Sequence, residues 1–232
     1  MDEKELEKRL KKVKKNIEES CKKVGRDLSE ITLVAVSKNH LTKKIEFFQK
    51  HNIKIFGENR VQEIRRKNNK LNSNVNWHFI GHLQRNKVKY ISRMENCNMI
   101  ESLDSPRLAK EINKRAKKND RIMPVLVEVN VAGDDNKYGF KVEETIDFIK
   151  MAVKKYDNID IKGLMTILPY VDDPEKTRPY FKKLRNIKEK AKEEGIELSE
   201  LSMGMTNDYQ IAIEEGATII RIGTALFGER QY

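Results

Sequence analysis

Eight short apolar runs, separated by stretches of amphipathic pattern, constrain this chain more than any other feature. They lie at 31–37, 53–57, 76–81, 97–101, 123–131, 159–166, 198–203 and 217–223. Runs of this length, led by the β-branched 31–37, read as buried parallel strands. Between them, helical patterns run over 41–51, 59–70, 84–93, 105–118, 141–155, 174–194 and 207–215. Ahead of the first run, Leu6, Leu10, Val13, Ile17, Cys21 and Val24 fall three and four apart. They form one apolar stripe on a charged helix, which Gly25 stops. Eight strands each followed by a helix, with one extra N-terminal helix, is the element count of a single α/β (β/α)8 TIM barrel. A doubly wound open sheet of six or seven strands is the alternative, and 97–101 is the run on which the difference turns. No Gly-x-Gly-x-x-Gly follows the first strand, which argues against a dinucleotide-binding version. Without a Pro- or Gly-rich linker or a repeat, residues 1–232 read as one domain.

The strand ends matter next, because a barrel gathers them at one mouth. Lys38 sits at the C-terminal tip of Ile31-Thr32-Leu33-Val34-Ala35-Val36-Ser37. A lysine held against apolar walls loses hydration, and its neutral amine becomes a usable nucleophile toward an aldehyde. With 47 Lys and Arg in the chain, the surface-lysine reading wins on Lys38 alone. Its companions decide. Gly57-Glu58-Asn59-Arg60 follows the second run, His78 lies in the third, and Gly81-His82 closes it. Asn130, Met165-Thr166, Ser202-Met203-Gly204-Met205-Thr206 and Arg221-Ile222-Gly223-Thr224 end later ones. One lysine, one arginine, small hydroxyls, glycines and few carboxylates suit an anionic ligand. Thr224-Ala225-Leu226-Phe227 reads as the start of a short helix, whose free N–H groups beside Gly223 suit a phosphate. Ser202 could add a hydroxyl from the neighbouring strand; the bland readings are a turn glycine and a helix cap.

Other features have plainer readings. His78 and His82 are four apart on a strand-to-loop segment, which does not give the one-faced pair of a helical metal site. Trp77 reads as packing between strand and helix. Glu58 reads as the partner of a nearby base or as a cap on the next helix. Lys137 and Gly139, in Asp134-Asp135-Asn136-Lys137-Tyr138-Gly139-Phe140, could be turn chemistry alone.

The net charge of +11 invites a nucleic-acid partner, but 36 acidic residues are interleaved with the basic ones. The doublets Lys11-Lys12, Lys14-Lys15, Lys117-Lys118 and Lys154-Lys155 are scattered, with no aromatic platform beside them. A solvated lysine-rich surface is the simpler account, and no nucleic-acid partner is expected. No apolar run approaches the roughly 20 residues of a membrane span. The opening Met1-Asp2-Glu3-Lys4-Glu5-Leu6-Glu7-Lys8 has no apolar signal core. Cys21 and Cys97 lack a CxxC partner, which fits a reducing compartment without a disulfide. The expectation is a cytoplasmic monomer with no membrane contact.

Six segments carry a resemblance to a known family. They are Ala35-Val36-Ser37-Lys38, Phe56-Gly57-Glu58-Asn59, Trp77-His78-Phe79-Ile80-Gly81, Gly163-Leu164-Met165, Leu201-Ser202-Met203-Gly204-Met205 and Arg221-Ile222-Gly223-Thr224-Ala225-Leu226-Phe227-Gly228. In order, and over residues 31 to 230, they closely resemble the pyridoxal phosphate homeostasis protein family. The resemblance implies a fold-type III barrel, like the N-terminal barrel of alanine racemase, that binds pyridoxal 5'-phosphate. It implies that Lys38 forms the internal aldimine, and that Ser202, Gly223 and Thr224 hold the phosphate with Gly204 and Met205 alongside. Arg221 matches the arginine that faces the pyridine nitrogen; Asn59, His78 and Met165 match positions lining the pocket. The chain departs from the family's pattern at Asn39-His40, where Thr-Lys is usual. It does so again at His82, where proline is common, and at Thr206-Asn207, in place of Ser-Asp. These departures bear on access and partner contacts at the mouth.

The implied function is to hold pyridoxal phosphate and to buffer it or deliver it to apo-enzymes that use it. The rival is a weak amino-acid racemase or lyase with Lys38 as its base. An arginine facing the ring nitrogen favours the unprotonated ring and weakens its electron sink. In the racemase family a second acid/base comes from a tyrosine and a second domain, whereas this sequence ends at Tyr232, directly after the last barrel motif. A carrier without a catalytic residue is therefore the expectation.

Overall fold

The computed structural model describes residues 2–71, 75–134 and 136–229; Met1, Asp135 and Tyr232, named above, lie outside them. Its centre is a closed parallel barrel whose eight strands neighbour one another in chain order. They are β1 (Thr32–Val36), β2 (Ile55–Glu58), β3 (Asn76–Phe79), β4 (Cys97–Leu103), β5 (Met123–Glu128), β6 (Ile159–Met165), β7 (Glu200–Ser202) and β8 (Ile219–Ile222). Closure runs through β1 and β8, where Thr32 pairs with Ile219 and Val34 with Arg221. The run at 97–101 is a strand and extends to Leu103, which settles the choice against the open sheet.

The helices are α1 (Glu3–Lys23), α2 (Thr42–Lys50), α3 (Val61–Asn68), α4 (Val88–Ile91), α5 (Pro106–Lys118), α6 (Val142–Lys155), α7 (Arg178–Glu193), α8 (Tyr209–Glu214) and α9 (Thr224–Phe227). Two expected helices are shorter than their patterns. The 84–93 segment divides into a 3-10 turn at Arg85–Lys87 and the single turn of α4. The 174–194 segment opens with a 3-10 turn at Pro174–Thr177, because two prolines, Pro174 and Pro179, limit its first turns. The 123–131 run ends as a strand at Glu128; Val129 N–H still donates to Met165 O at 2.8 Å, and the chain then bonds the returning loop, Asn130 N–H donating to Phe140 O at 2.9 Å.

Strand periodicity sorts side chains into two populations. Outward residues such as Ala35, Trp77, Ile100, Val127 and Ile220 join the main core under the helices. Trp77 is fully buried there, its indole N–H donating to Asn68 Oδ1 at 3.0 Å. Inside the barrel, Val34, Leu126, Met165 and Ile219 pack together with Ile55 and Met99 against them. Two residues further along, the inward position turns polar: Glu101 after Met99, Glu128 after Leu126, Arg221 after Ile219. The barrel is therefore plugged with apolar side chains below and carries buried charge just under its mouth.

The N-terminal helix α1 lies against α8 and α9, where Asn16 Nδ2 donates to the Tyr209 hydroxyl at 2.9 Å. Arg26, just beyond it, donates to the carbonyls of Ile213 at 3.0 Å and Ala217 at 2.8 Å. Among the described residues no helix is long and apolar enough to cross a membrane.

Candidate functional site

At the C-terminal ends of the strands a cavity of about 490 Å³ opens between the β1, β2, β3, β6, β7 and β8 loops. That volume lies within the roughly 300–1,000 Å³ range of small-molecule sites. Six of the expected site residues line it: Lys38, Asn59, Met205, Arg221, Gly223 and Thr224. Val36, Ile80, Ile167 and Pro169 supply apolar wall, and Thr206, Asn207 and Asp208 come from the loop after β7. Asn59 is seated by close approach: a Cβ on Gly81 would stand 2.6 Å from Asn59 O. Among the described residues its Oδ1, buried at this wall, has no hydrogen-bond partner. A buried acceptor without a partner beside a cavity is one that a ligand's donor group could satisfy.

Four expected residues lie elsewhere, each for a definite reason. Ser202 is fully buried inside the barrel; its hydroxyl donates to Glu101 Oε2 at 2.5 Å and accepts from Arg221 Nη1. It does not line the cavity, because its strand position turns it inward one hydrogen bond behind Arg221. His78 is likewise buried, its Nδ1 2.6 Å from Glu101 Oε1. Met165 is part of the apolar plug. Gly204 bends the chain after β7 at φ +91°, and a Cβ there would lie 2.5 Å from Ala212 Cβ. Its contribution is to let the loop turn so that Met205 and Thr206 reach the cavity.

Thr206, a strand-end residue that departs from the family's pattern, lines the cavity with Gly223 and Thr224. Its Oγ1 accepts from Ala225 N–H at 3.2 Å, joining the loop after β7 to the start of α9. The hydroxyl edge of the site is thus Thr206 and Thr224, with Gly223 between them and Ser202 behind.

Buried carboxylates, Glu101 and Glu128, lie in the strands just beneath a mouth whose strand ends suggest few of them. Glu101 is fully buried at the centre of a network, with Arg221 Nη1 3.7 Å away and His78 and Ser202 bonded to it. Burial alone would push its carboxyl up, but the His78 hydrogen bond and the nearby Arg221 cation hold it below the usual range. Arg221 is further fixed by donating from Nη2 to Thr166 O at 2.7 Å. Glu128 is in the same layer; burial, helped by Asp104, outweighs the charges of Arg221 and Lys137 and pushes its carboxyl up to about 7. A folded-state value raised above the unfolded one means the folded protein binds the extra proton between about pH 4.5 and 7, so stability falls as pH rises through that window. Glu128→Gln is therefore expected to stabilise the protein at pH 8 by on the order of 2–3 kcal/mol and to do little at pH 4. Thermal melts at the two pH values measure it.

Glu58 is neither a helix cap nor exposed. It is buried against Lys67, Nζ to Oε1 2.6 Å, and accepts from the Ser37 hydroxyl at 2.6 Å. His82 pairs with Asp104 at 2.7 Å and stacks on Tyr138 at the rim. Among the described residues no His, Cys, Asp or Glu group is arranged to hold a metal. Cys21 and Cys97 are both buried free thiols, and burial pushes that of Cys97 up to about 12.

The sequence matches the family described as alanine racemase, N-terminal domain, over residues 9–231. It is 45% identical to the pyridoxal phosphate homeostasis protein of Aquifex aeolicus (strain VF5), covering 97% of this chain and 98% of that one. The chain belongs to the pyridoxal phosphate homeostasis protein family. It is also 36% identical to the Homo sapiens protein of that name, over 96% of this chain and 86% of the other. Among solved structures it resembles PipY of Synechococcus elongatus PCC7942 with pyridoxal phosphate bound. That match has a TM-score of 0.78 and 32% identity, over 86% of this chain and 93% of PipY. The barrel, its extra N-terminal helix and the Lys38 strand end are thus read in a pyridoxal phosphate homeostasis family member.

Proposed function

We propose that this chain binds pyridoxal 5'-phosphate at the barrel mouth and holds it for buffering or delivery, without a dedicated turnover of its own. The observation that carries this reading is that Lys38 opens onto the same cavity as Thr206, Gly223 and Thr224. A primary amine and a hydroxyl-and-glycine edge in one cavity suit a ligand with an aldehyde and a phosphate. The buried, unpartnered Asn59 Oδ1 in the same wall suits the ligand's donor group. The group, when bound, supplies an aldehyde that condenses with a primary amine with loss of one water, and an aromatic ring that withdraws electrons.

The chain's own residues divide the remaining work. Lys38 supplies the amine, and Thr206 and Thr224 donate hydroxyls to phosphate oxygens, which Gly223 lets approach the backbone. Arg221, kept in place by Thr166 and Ser202, puts a cation at the wall. That cation disfavours a proton on any basic nitrogen set against it, which restrains carbanion chemistry. Val36, Ile80 and Ile167 exclude water from the amine's surroundings.

Absorbance spectra of protein mixed with pyridoxal phosphate, before and after borohydride, test the reading; no binding overturns it. Thr224→Val is expected to weaken pyridoxal phosphate by about tenfold, the loss of one charge-assisted hydrogen bond, as measured by titration. The racemase or lyase alternative is tested by deuterium incorporation at Cα of alanine and other amino acids. Exchange that disappears in Lys38→Ala would replace the carrier reading.

A further inference from the structure

We propose that Lys67 is the positioning residue for Lys38: one buried ammonium that clamps the peptide groups on both sides of it. The proposal rests on the reading of Lys38 as the aldehyde-holding amine. Lys67 lies on α3, is only 2% exposed, and does not line the cavity. Its Nζ donates to Ser37 O at 2.6 Å and to Glu58 Oε1 at 2.6 Å, and it forms an ion pair with Glu63 Oε1 at 2.9 Å. Ser37 O belongs to the peptide bond that enters Lys38. The peptide bond that leaves it is held as well, since Asn39 N–H donates to Glu63 Oε1 at 2.7 Å. The Ser37 hydroxyl, bonded to Glu58 Oε1, adds a third tether on the entering side. Both peptide planes that define the direction of the Lys38 side chain therefore converge on a single ammonium.

Two further observations make this more than a core ion cluster. Asn39 sits at φ +64°, a left-handed conformation that costs a non-glycine residue and persists where the surroundings impose it. The bond from its N–H to Glu63 supplies that constraint directly after Lys38. Buried charge is also a poor way to gain stability, because desolvation offsets most of the attraction and an apolar side chain of similar volume does as well. Burial pushes the Glu58 carboxyl up despite Lys67, while the Lys67 and Asn39 bonds outweigh burial and hold Glu63 down. The trio's distinctive product is geometry at residues 37–39.

Two variants test it. Lys67→Met with Glu58→Gln removes one buried ion of each sign together and keeps an acceptor for the Ser37 hydroxyl. Glu63→Met cuts the tie to Asn39 together with the Lys67–Glu63 contact but leaves the Lys67–Glu58 pair intact, so it carries the test should the double variant fail to fold. Each is compared with wild type for the rate of borohydride-fixed capture of pyridoxal phosphate on the Lys38 peptide. Each is also titrated with pyridoxine 5'-phosphate, which has the phosphate but no aldehyde. Capture is expected to slow about tenfold or more, as sub-ångström misplacement of a reacting group does, with pyridoxine phosphate affinity within about twofold of wild type. Unchanged capture, or capture lost only in proportion to pyridoxine phosphate affinity, overturns the proposal. Absence of capture by the wild-type protein overturns the functional reading, and this one with it.

Discussion

Lys38→Ala is expected to reduce borohydride-fixed pyridoxal phosphate by on the order of a hundredfold while the protein still binds pyridoxine 5'-phosphate. The asymmetry follows from the layout of the cavity. The amine comes from the β1 end, whereas Thr206, Gly223 and Thr224 come from the β7 and β8 ends. Removing the amine leaves the phosphate edge untouched, and the half-buried position of Lys38 just past the strand tip accepts an alanine without a steric clash. Mass spectrometry of the reduced, digested protein reads the outcome at peptide level, which separates Lys38 from the many surface lysines. Equal labelling of wild type and variant would remove Lys38 from the site. Loss of pyridoxine phosphate binding as well would mean that the lysine organises the whole cavity.

The second large effect is on folding. A Cβ on Gly163 would stand 1.9 Å from Glu200 O and 2.6 Å from Glu200 C, both backbone atoms of the neighbouring strand. Gly163 and Glu200 are direct partners in the β6–β7 pair, and β7 is only three residues long. Backbone cannot swing aside as a long side chain can, so Gly163→Ala must spread two strands of a closed barrel. A loss of about 3 kcal/mol or more is expected, lowering the melting temperature by roughly 6–12 °C. Because β7 carries Ser202, which holds Arg221, pyridoxal phosphate affinity should fall with it. A melting temperature equal to wild type would show that β6 and β7 part freely at this point.

Much of this molecule is legible in its residue order. Apolar runs of strand length alternating with helical stripes dictate β–α–β units, whose parallel pairing and short connections leave few closed arrangements. All eight strands stand where those runs lie, and Lys38, Asn59, Met205, Arg221, Gly223 and Thr224 share one mouth as strand-end logic requires. The resemblance in six motifs pointed to the same family that the matched relatives define.

What residue order left open was depth and partnership. A two-residue period says that His78, Glu101, Ser202 and Arg221 face one way, but which of them reach the cavity depends on the stagger between strands around the closed barrel. That stagger sets Ser202 behind Arg221 and brings Glu101, a hundred residues from Ser202 in the chain, into contact with both. Lys67 and Glu63 read on their own as charges on an amphipathic helix. Only the packing of α3 against the ends of β1 and β2 buries them around residues 37–39. Sequence by itself determined the barrel and the lysine at its rim, because short-range periodicity encodes both. The tertiary structure alone decided how that lysine is aimed, because its tethers are hydrogen bonds between segments that meet only when the barrel closes.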